Sequence, residues 1–326
     1  MKVLVVTNLY PTAEMPAFGT FVYDQVRALR RAGAEVDVLL MNGKVSRWNY
    51  VWAFPRFWRR ILIRRYDIIH AHYVLAGLVA RAQWGHKLVL THHGPEALGH
   101  PAWQTLMCRF LTPLCDEVIH VSEQIRRALD DEDGWVVPCG VDLDIFAPIP
   151  RDDARARLGL PLERRLVLFA GEAVRPEKRF YIVKQAIERV RQILPNADLV
   201  LLDGQSHDTV PIYMSACDAL VLTSAAEGSP MVVKEAMACN LPVISVRVGD
   251  VQEIIGDTMG CALADDDPAD IAARLIDVLR EPRRTDGRTR IDRYRQDRTA
   301  IQILDIYEHA VRSTRRNRRR RLYQSL

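Results

Sequence analysis

The segment TSAAEGSPMVVKEAMACN, residues 223–240, combines a loop of small residues, a helix start and two carboxylates. An apolar run ends at Thr223, and the pattern that follows predicts Ser229 as the N-cap of a helix with Pro230 in its first turn. A helix N-terminus offers backbone N–H groups and the positive end of its dipole to an anion, and Gly228 allows a close approach. The segment therefore predicts a phosphate-binding loop.

The two carboxylates of this segment, Glu227 and Glu235, stand eight residues apart. Glu227 lies in the loop and Glu235 lies inside the predicted helix, so they address different parts of one ligand. Carboxylates in such places can accept hydrogen bonds from the hydroxyl groups of a ligand. Taken alone, each is better explained as a solvent-exposed acid on a loop or a helix.

The spacing of these glutamates within EGSPMVVKEAMACNLPVIS is similar to the E-x7-E signature of retaining glycosyltransferases of family 4, which have the two-domain GT-B fold. The same resemblance continues through GTFVYDQVRAL, YDIIHAHY, LTHHG, VVPCGVDLDIFAP, RPEKR and VGDVQE, almost from end to end. It implies that Glu227 contacts hydroxyls of a donor sugar and that Glu235 binds the nucleotide ribose. It also implies contacts to the sugar and the diphosphate from Gly228, Ser229, Pro230, Met231 and Val232.

The RPEKR segment supplies a second phosphate-binding element. Arg175 and Lys178 follow a predicted strand and are placed for charge-assisted hydrogen bonds to a diphosphate leaving group, which makes Lys178 a candidate catalytic residue. The alternative is an ordinary basic loop. The family often has arginine directly after the strand glycine, whereas here Glu172 follows Gly171. The resemblance then gives that role to Arg175, because the loop is one residue longer than usual.

Two residues of the N-terminal half complete the candidate site. Gly19 ends the loop Asn8–Thr20, which lacks G-x-G-x-x-G, so its spacing does not predict a dinucleotide site. The resemblance implies a close approach of this loop to a donor phosphate; otherwise Gly19 only ends a turn. It also places His93, in a His-Gly pair, near the donor sugar, where it orients the reacting centre.

Histidine pairs at two predicted strand ends are also typical of a zinc site in metallohydrolases. These are His70 with His72, and His92 with His93. Against that function, no further Asp or His follows in a compatible strand-end context, and the chain lacks eight βα units. The six cysteines show no metal-ligand spacing. We therefore expect no metal and no other cofactor.

Short apolar runs alternate with helix-period segments along the whole chain. Strands are predicted at Lys2–Val6, Val36–Leu40, Tyr66–His70, Leu88–Thr91, Glu117–Val121, Trp135–Val137, Leu166–Ala170, Asp198–Leu202, Ala219–Thr223, Pro242–Val246 and near Cys261–Leu263. Helices are predicted at Phe21–Arg31, Ser122–Asp130, Lys178–Ile193, Met231–Cys239, Pro268–Arg280 and Thr299–Arg312. This α/β pattern predicts two Rossmann-like, doubly wound parallel-sheet domains, with a ligand site in the cleft between them.

The predicted domains are an acceptor-side domain at residues 1–145, a nucleotide-sugar-binding domain at 146–298, and a C-terminal helix with a basic tail at 299–326. The Pro-punctuated segment 138–150 reads as the linker. It contains Asp142 and Asp144, a spacing that would also suit a carboxylate pair for hydrolysis. The resemblance instead makes this segment the crossover between the domains.

The net charge of +4 hides two strongly basic zones. Lys44–Arg65 and Arg312–Arg321 each hold seven basic residues and no acid, which leaves −10 for the rest of the chain. The first zone interleaves its charges with tryptophan, tyrosine and phenylalanine, a mixture that suits an anionic membrane surface or single-stranded nucleic acid. For the first zone, a partly buried helix with a solvated arginine face is an equal alternative. The second zone is most simply a disordered, solvated tail, and membrane attachment is an additional role for it.

These observations predict a hexosyltransferase that moves a sugar from a nucleotide-diphosphate sugar to a hydroxyl of a glycan or lipid-linked acceptor. The resemblance implies retention of configuration and a role in polysaccharide or glycolipid biosynthesis. The apolar runs are too short to span a bilayer, and the cysteine usage favours a reduced compartment. We expect a cytoplasmic protein, peripheral at the inner face of the membrane, with no nucleic-acid partner. A GT-B sugar-nucleotide epimerase and a histidine metallohydrolase remain the alternatives.

Overall fold

The computed structural model describes residues 1–94, 96–99 and 101–313. The chain divides into two compact units, each built around one parallel sheet. The first unit is Met1–Gly140 together with the segment that starts at Gln296, and the second is Val141–Arg295. Most of the arginine-rich zone, from residue 314 onward, lies outside the described residues.

Eleven strands and thirteen α-helices are found in the described part of the chain. The strands are β1 (Lys2–Thr7), β2 (Glu35–Leu40), β3 (Ile68–His72), β4 (Lys87–His92), β5 (Glu117–His120), β6 (Trp135–Val136), β7 (Arg165–Ala170), β8 (Ala197–Leu202), β9 (Ala219–Leu222), β10 (Val243–Val246) and β11 (Ala262–Ala264). The helices are α1 (Thr20–Arg31), α2 (Trp48–Ile63), α3 (Val74–Arg81), α4 (Ala102–Leu111), α5 (Glu123–Ala128), α6 (Arg151–Leu158), α7 (Phe180–Ile193), α8 (Val210–Ala216), α9 (Met231–Ala238), α10 (Val251–Ile255), α11 (Pro268–Arg280), α12 (Gly287–Ile291) and α13 (Gln296–Arg312).

The first unit has the strand order β2-β1-β3-β4-β5-β6. Its strands are rich in Val, Ile and Leu because helices cover both faces of the sheet. Successive side chains alternate between the faces: Val3 and Val5 pack with α1 and α13, whereas Leu4 and Val6 pack with α2, α3 and α4. Helix α13, which follows the second unit in the sequence, therefore belongs to the first unit.

The second unit has the order β11-β10-β9-β7-β8. Helices α7 and α11 contribute to the core on one face, and α8, α9, α10 and α12 to the core on the other. The residues at the start of α11 fix where this helix begins. Asp267 accepts a hydrogen bond from the backbone N–H of Ala269, and Pro268 occupies the first helical position.

The predicted fold class, two Rossmann-like parallel-sheet domains, is confirmed. All eleven predicted strands are present, with ends that differ by no more than two residues. Seven helices were not among those predicted: α2, which was weighed only as an alternative for the first basic zone, and the short helices α3, α4, α6, α8, α10 and α12. Helix α3, for example, is apolar on all sides because it is largely buried, and so it lacks a 3.6-residue pattern. No described helix is long and apolar enough to cross a membrane.

Candidate functional site

In the second unit, the predicted site residues gather where the strand order reverses. The chain passes from β7 to β8 on one side and then returns to β9 on the other, so β7 and β9 are neighbours. Ligands of open parallel sheets bind outside the carboxyl ends of the strands at such a switch point. Lys178 follows β7 and Glu227 follows β9, and the topology brings both to this position.

Lys178 and Glu227 form a direct ion pair. Lys178 Nζ donates to Glu227 Oε1 at 2.7 Å, and both side chains are about one-fifth exposed. Gly171, at the end of β7, has a φ of +137°, and a Cβ there would lie 3.4 Å from Lys178 Cε. The lysine thus crosses directly over the glycine at the strand end. A cation and a carboxylate stand side by side, within reach of a common ligand.

The loop after β9 is tied to the loop after β7 through its backbone. The Thr223 hydroxyl donates to the Lys178 carbonyl at 2.8 Å, and the Ala225 N–H donates to the Glu177 carbonyl at 2.8 Å. The guanidinium of Arg179 donates to the Thr223 carbonyl and forms a two-pronged ion pair with Asp266. These bonds hold the two loops in a fixed relation, and the sequence analysis did not identify Arg179 as part of the arrangement.

The predicted N-cap role of Ser229 is wrong. Helix α9 begins at Met231, with Pro230 in the cap position and no side-chain cap hydrogen bond. The Ser229 hydroxyl instead donates to Asp250 Oδ2 at 2.6 Å and accepts from Lys234 Nζ at 2.6 Å. The Ser229 hydroxyl is therefore hydrogen-bonded to Asp250 and Lys234 and not to a backbone N–H of α9.

Asp250 and Lys234 form a buried polar support beneath this loop. Lys234 is fully buried and Asp250 is 8% exposed. Burial raises the pKa of the Asp250 carboxyl, and the nearby Lys234 ammonium opposes that shift. Gly249 precedes Asp250 with a φ of +55°, and a Cβ there would lie 2.8 Å from the Gly228 carbonyl oxygen. The loop after β10 thus packs against the backbone of the loop that is predicted to bind phosphate.

The other predicted residues of this loop lie at or near the start of α9. Gly228 and Pro230 are buried, whereas Met231, Val232 and Glu235 are half-buried. Arg175 is different, because its side chain is about half exposed and pairs with its neighbour Glu177 at 2.5 Å. The structure therefore brings Lys178 into contact with Glu227, whereas the recorded ion pair of Arg175 is with Glu177.

In the first unit, Gly19 lies beside the equivalent switch point between β1 and β3. It has a φ of +75° and caps α1, and a Cβ at this position would lie 2.5 Å from the Leu9 carbonyl carbon. Any side chain would clash with the backbone of the loop after β1. Glycine is required here by packing within the loop itself.

His93 follows β4 and belongs to a buried ring cluster. Its Nε2 lies 2.8 Å from His72 Nδ1, its Nδ1 lies 3.6 Å from Cys139 Sγ, and its ring stacks on Tyr73 at 4.7 Å. Tyr73 has a φ of +70°, an uncommon conformation for a residue with a side chain. The backbone N–H of His93 donates to the buried Glu96 carboxylate, and burial raises the pKa of that carboxyl. Both ring nitrogens of His93 thus have neighbouring protein partners.

Comparison with known protein families covers both units. The family model described as Glycosyltransferase Family 4 matches residues 18–145, and the model described as Glycosyl transferases group 1 matches residues 184–298. Together they span most of the chain. The chain belongs to the family 4-like glycosyltransferases.

This glycosyltransferase is 28% identical over 270 residues to a D-inositol 3-phosphate glycosyltransferase from Nocardiopsis dassonvillei. That match covers 67% of the present chain and 63% of the relative, so the chain spans less than two thirds of that relative's length. Among solved structures, a sucrose-phosphate synthase from Thermosynechococcus elongatus is similar, with a TM-score of 0.77 and 20% identity over 95% of the present chain and 99% of the synthase chain. Anabaena HepE in complex with UDP-glucose has a TM-score of 0.70 and 17% identity over 95% of the present chain and 100% of the HepE chain. These likenesses show the GT-B fold.

The histidines that suggested a zinc site are engaged with protein groups in this glycosyltransferase. His70 Nδ1 lies 2.6 Å from the Tyr307 hydroxyl and His70 Nε2 lies 2.7 Å from Thr91 Oγ1. His92 Nε2 lies 3.0 Å from Thr112 Oγ1. Over residues 1–94, 96–99 and 101–313, no group of three or more His, Cys, Asp or Glu side chains is arranged to hold a metal ion. The histidine pairs act as packed, hydrogen-bonded core groups.

Proposed function

We propose that this glycosyltransferase moves a sugar from a nucleotide-diphosphate sugar to a hydroxyl of a glycan or lipid-linked acceptor, with retention of configuration, in polysaccharide or glycolipid biosynthesis. The observation that carries the proposal is the Lys178–Glu227 pair at the switch point of the second sheet. The lysine suits a phosphate and the carboxylate suits sugar hydroxyls, so one ligand containing both groups satisfies the pair. A nucleotide-diphosphate sugar is such a ligand.

In the proposed reaction, the bond between the anomeric carbon and the diphosphate oxygen breaks while the acceptor oxygen attacks from the same face. Lys178 and the backbone N–H groups at the start of α9 stabilise the negative charge that grows on the diphosphate, and Arg175 adds a weaker contribution. A phosphate oxygen takes the proton of the acceptor hydroxyl. These cationic groups do the work for which other enzymes use a metal ion, so we expect chelators to leave the transfer unaffected.

The remaining residues bind the donor. Glu227 and His93 hold the sugar, Glu235 holds the ribose, and the loop that ends at Gly19 approaches the phosphate. His93 can contact a sugar through its ring only if one of its two present neighbours, His72 or Cys139, gives way. A contact through the backbone carbonyl needs no such change, whereas the backbone N–H already donates to Glu96. The HepE complex with UDP-glucose supports the donor class.

A thermal-shift screen with UDP-, GDP- and ADP-sugars tests the donor class. A ligand at roughly one hundred times its Kd stabilises the folded state by about 2.7 kcal/mol, which corresponds to a rise in Tm of about 5 °C or more. We expect one base to give this shift and the K178A variant to lose most of it. Absence of a shift with every nucleotide sugar would contradict the proposal. Product formation without any acceptor would instead identify an epimerase.

Arg175 provides a graded prediction within the same site. Exposed ion pairs contribute roughly 1 kcal/mol or less, so R175A is expected to raise the KM for the donor by no more than about tenfold, with kcat little changed. Steady-state kinetics with varied donor concentration measures both parameters. A loss as large as that of K178A would show that Arg175 leaves Glu177 and reaches the diphosphate directly.

We further propose that the protein works in the cytoplasm, at the inner face of a membrane, where Lys44–Arg65 and Arg312–Arg321 contact anionic lipid. The lipid headgroups and the diphosphate then require separate cations. Lys178 lies in the second unit and residues 44–65 lie in the first, which supports separate roles for their charges. Removal of everything after Val311 is expected to weaken binding to anionic vesicles at low salt.

A further inference from the structure

All six tryptophans of this protein are partly or largely exposed. Five of them lie on α2, on α4 or in the loop after α3, with exposures between 47% and 78%: Trp48, Trp52, Trp58, Trp84 and Trp103. Tryptophan has a large apolar ring and is highly buried on average in folded proteins. Five exposed tryptophans in one region therefore indicate a surface that is covered when the protein works.

Helix α2 has apolar side chains on two opposite sides. Ala53 and Phe57 are fully buried against the core of the first unit. The outward side carries an apolar stripe at helical spacing, whose members are between 56% and 84% exposed: Trp48, Val51, Trp52, Leu62 and Ile63. A helix whose only apolar contact was the core would carry polar residues there. The outward stripe thus has no role in holding the described fold together.

Helix α4 repeats this arrangement. Cys108 and Leu111 are buried in the core, whereas Trp103, Leu106 and Phe110 form an outward stripe with exposures of 52%, 70% and 66%. Both α2 and α4 pack against α3, on the same face of the first sheet. The two outward stripes therefore point away from the same sheet face. We call this surface, made of the stripes on α2 and α4 with Trp58 and Trp84, the aromatic face.

The charge around the aromatic face is almost entirely positive. Residues 38–111 contain ten Lys and Arg and only two acidic residues, Asp67 and Glu96, and Glu96 is buried. Helices α2, α3 and α4 contain no acid at all. The helices on the opposite side of the sheet, α1 and α13, carry five arginines and four acidic residues, so their charges nearly balance. The excess of positive charge thus lies on the side that carries the two outward stripes.

We propose that the aromatic face docks on a lipid bilayer that contains anionic lipids, with its tryptophans at the headgroup level. Arginines and a lysine beside the stripes attract anionic headgroups, and the apolar side chains gain free energy by leaving water. The aliphatic members, Val51, Leu62, Ile63 and Leu106, favour a bilayer over single-stranded nucleic acid, because bases stack on aromatic rings and not on aliphatic chains. The charge pattern favours an anionic surface over a second copy of the same face.

This docking deepens the membrane contact proposed above for Lys44–Arg65, because it adds α4 and the two apolar stripes, and it does not depend on the arginine zone at residues 312–321. Because the apolar stripes enter the interface, part of the binding persists at salt concentrations that screen purely electrostatic adsorption. The aromatic face also bears on the acceptor. If the proposed transfer holds, a protein held on the bilayer by its first unit takes a lipid-linked acceptor in preference to a free glycan, and this step rests on the proposed function.

Vesicle flotation with the full chain tests the aromatic face. We expect binding to vesicles of phosphatidylcholine with phosphatidylglycerol, weaker binding to phosphatidylcholine alone, and a blue shift of tryptophan fluorescence on binding. The double variant W52S/W103S is expected to lose roughly tenfold or more in affinity. W135S is the matched control, because Trp135 is also exposed but lies on β6, away from the stripes. Both variants change exposed positions, and circular dichroism melts verify their folding.

The proposal is overturned if W52S/W103S binds vesicles as tightly as the wild type, if W135S loses as much affinity as the double variant, or if the chain binds oligonucleotides and no vesicles. Truncation after Ser313 separates the face from the tail, and we expect that variant to keep its salt-resistant binding. Donor binding is measured in parallel by thermal shift. Vesicle binding without a donor shift would contradict the proposed transfer alone. A donor shift without vesicle binding would contradict the aromatic face and the proposed membrane location, and would leave the transfer standing.

Discussion

Substitution of Glu227 or Lys178 by alanine is expected to lower kcat/KM for sugar transfer by roughly 10²–10³-fold, the usual effect of removing one preorganised group that stabilises transition-state charge. The 2.7 Å contact between them makes the two effects dependent on each other. Without Glu227 the lysine loses the group that orients it, and without Lys178 the carboxylate faces the diphosphate with no compensating charge. The double variant should therefore cost less than the product of the two single losses.

Radiolabelled-donor assays with purified variants measure these losses, and the chain offers matched controls on the same domain. Lys184 and Glu188 lie on α7 and are exposed, so K184A and E188A remove the same charges at a distance from the switch point. We expect near wild-type turnover from both controls. Unaltered turnover in both E227A and K178A would refute the assignment of the site, and strictly additive losses would refute the coupling between the two residues.

The candidate site was predictable where it depends on local sequence and not where it depends on burial. Glu227, Lys178 and the loop at residues 228–232 are visible as a motif beside a predicted strand end. Lys234 and Asp250 are not, because a lysine in an amphipathic pattern is normally assigned to solvent. Their contact with Ser229 depends on the adjacent positions of β9 and β10, which the order of residues does not reveal. The same contact explains why the predicted N-cap is wrong.

The sheets were predictable for a similar reason. A strand buried on both faces is a continuous run of Val, Ile and Leu, and that composition stands out against the surrounding residues. Most of the helices that escaped detection are short, and α3 is also apolar on all sides. Helix α2 is longer and has apolar side chains on two opposite sides. Helix α4 is the most consequential of them. Trp103 stands far from Trp52 in sequence, and the shared packing of α2 and α4 on α3 gives the two tryptophans a common surface.

The buried histidines of the first unit should make it unstable in mild acid. His72 and His92 are fully buried, and burial lowers the pKa of each to about 3. They are neutral in the folded state, whereas the unfolded chain takes up protons near pH 6.5. Stability is thus complete above that pH and falls as the pH drops from about 6.5 towards about 3. By linkage each histidine lowers the free energy of unfolding by about 2 kcal/mol at about pH 5.

The two histidines together predict a loss of roughly 4 kcal/mol between about pH 7.5 and about pH 5, a large part of the stability of an ordinary domain. The lowered pKa values of His70 and His93 act in the same direction, and the raised pKa of Glu96 acts in the opposite one. Urea unfolding monitored by tryptophan fluorescence reports the stability of the first unit, because all six tryptophans belong to it.

The variant H92Q assigns part of that loss to one residue. Glutamine keeps a polar group near Thr112 but cannot titrate, so about 2 kcal/mol of the difference between the two pH values should disappear. His309 provides the control, because it is about half exposed on α13, and H309Q should keep most of the wild-type dependence. An H92Q protein with the full wild-type pH dependence would mean that His92 is charged in the folded state. The complete burial of His92 argues against a charge there, because burial disfavours the protonated ring.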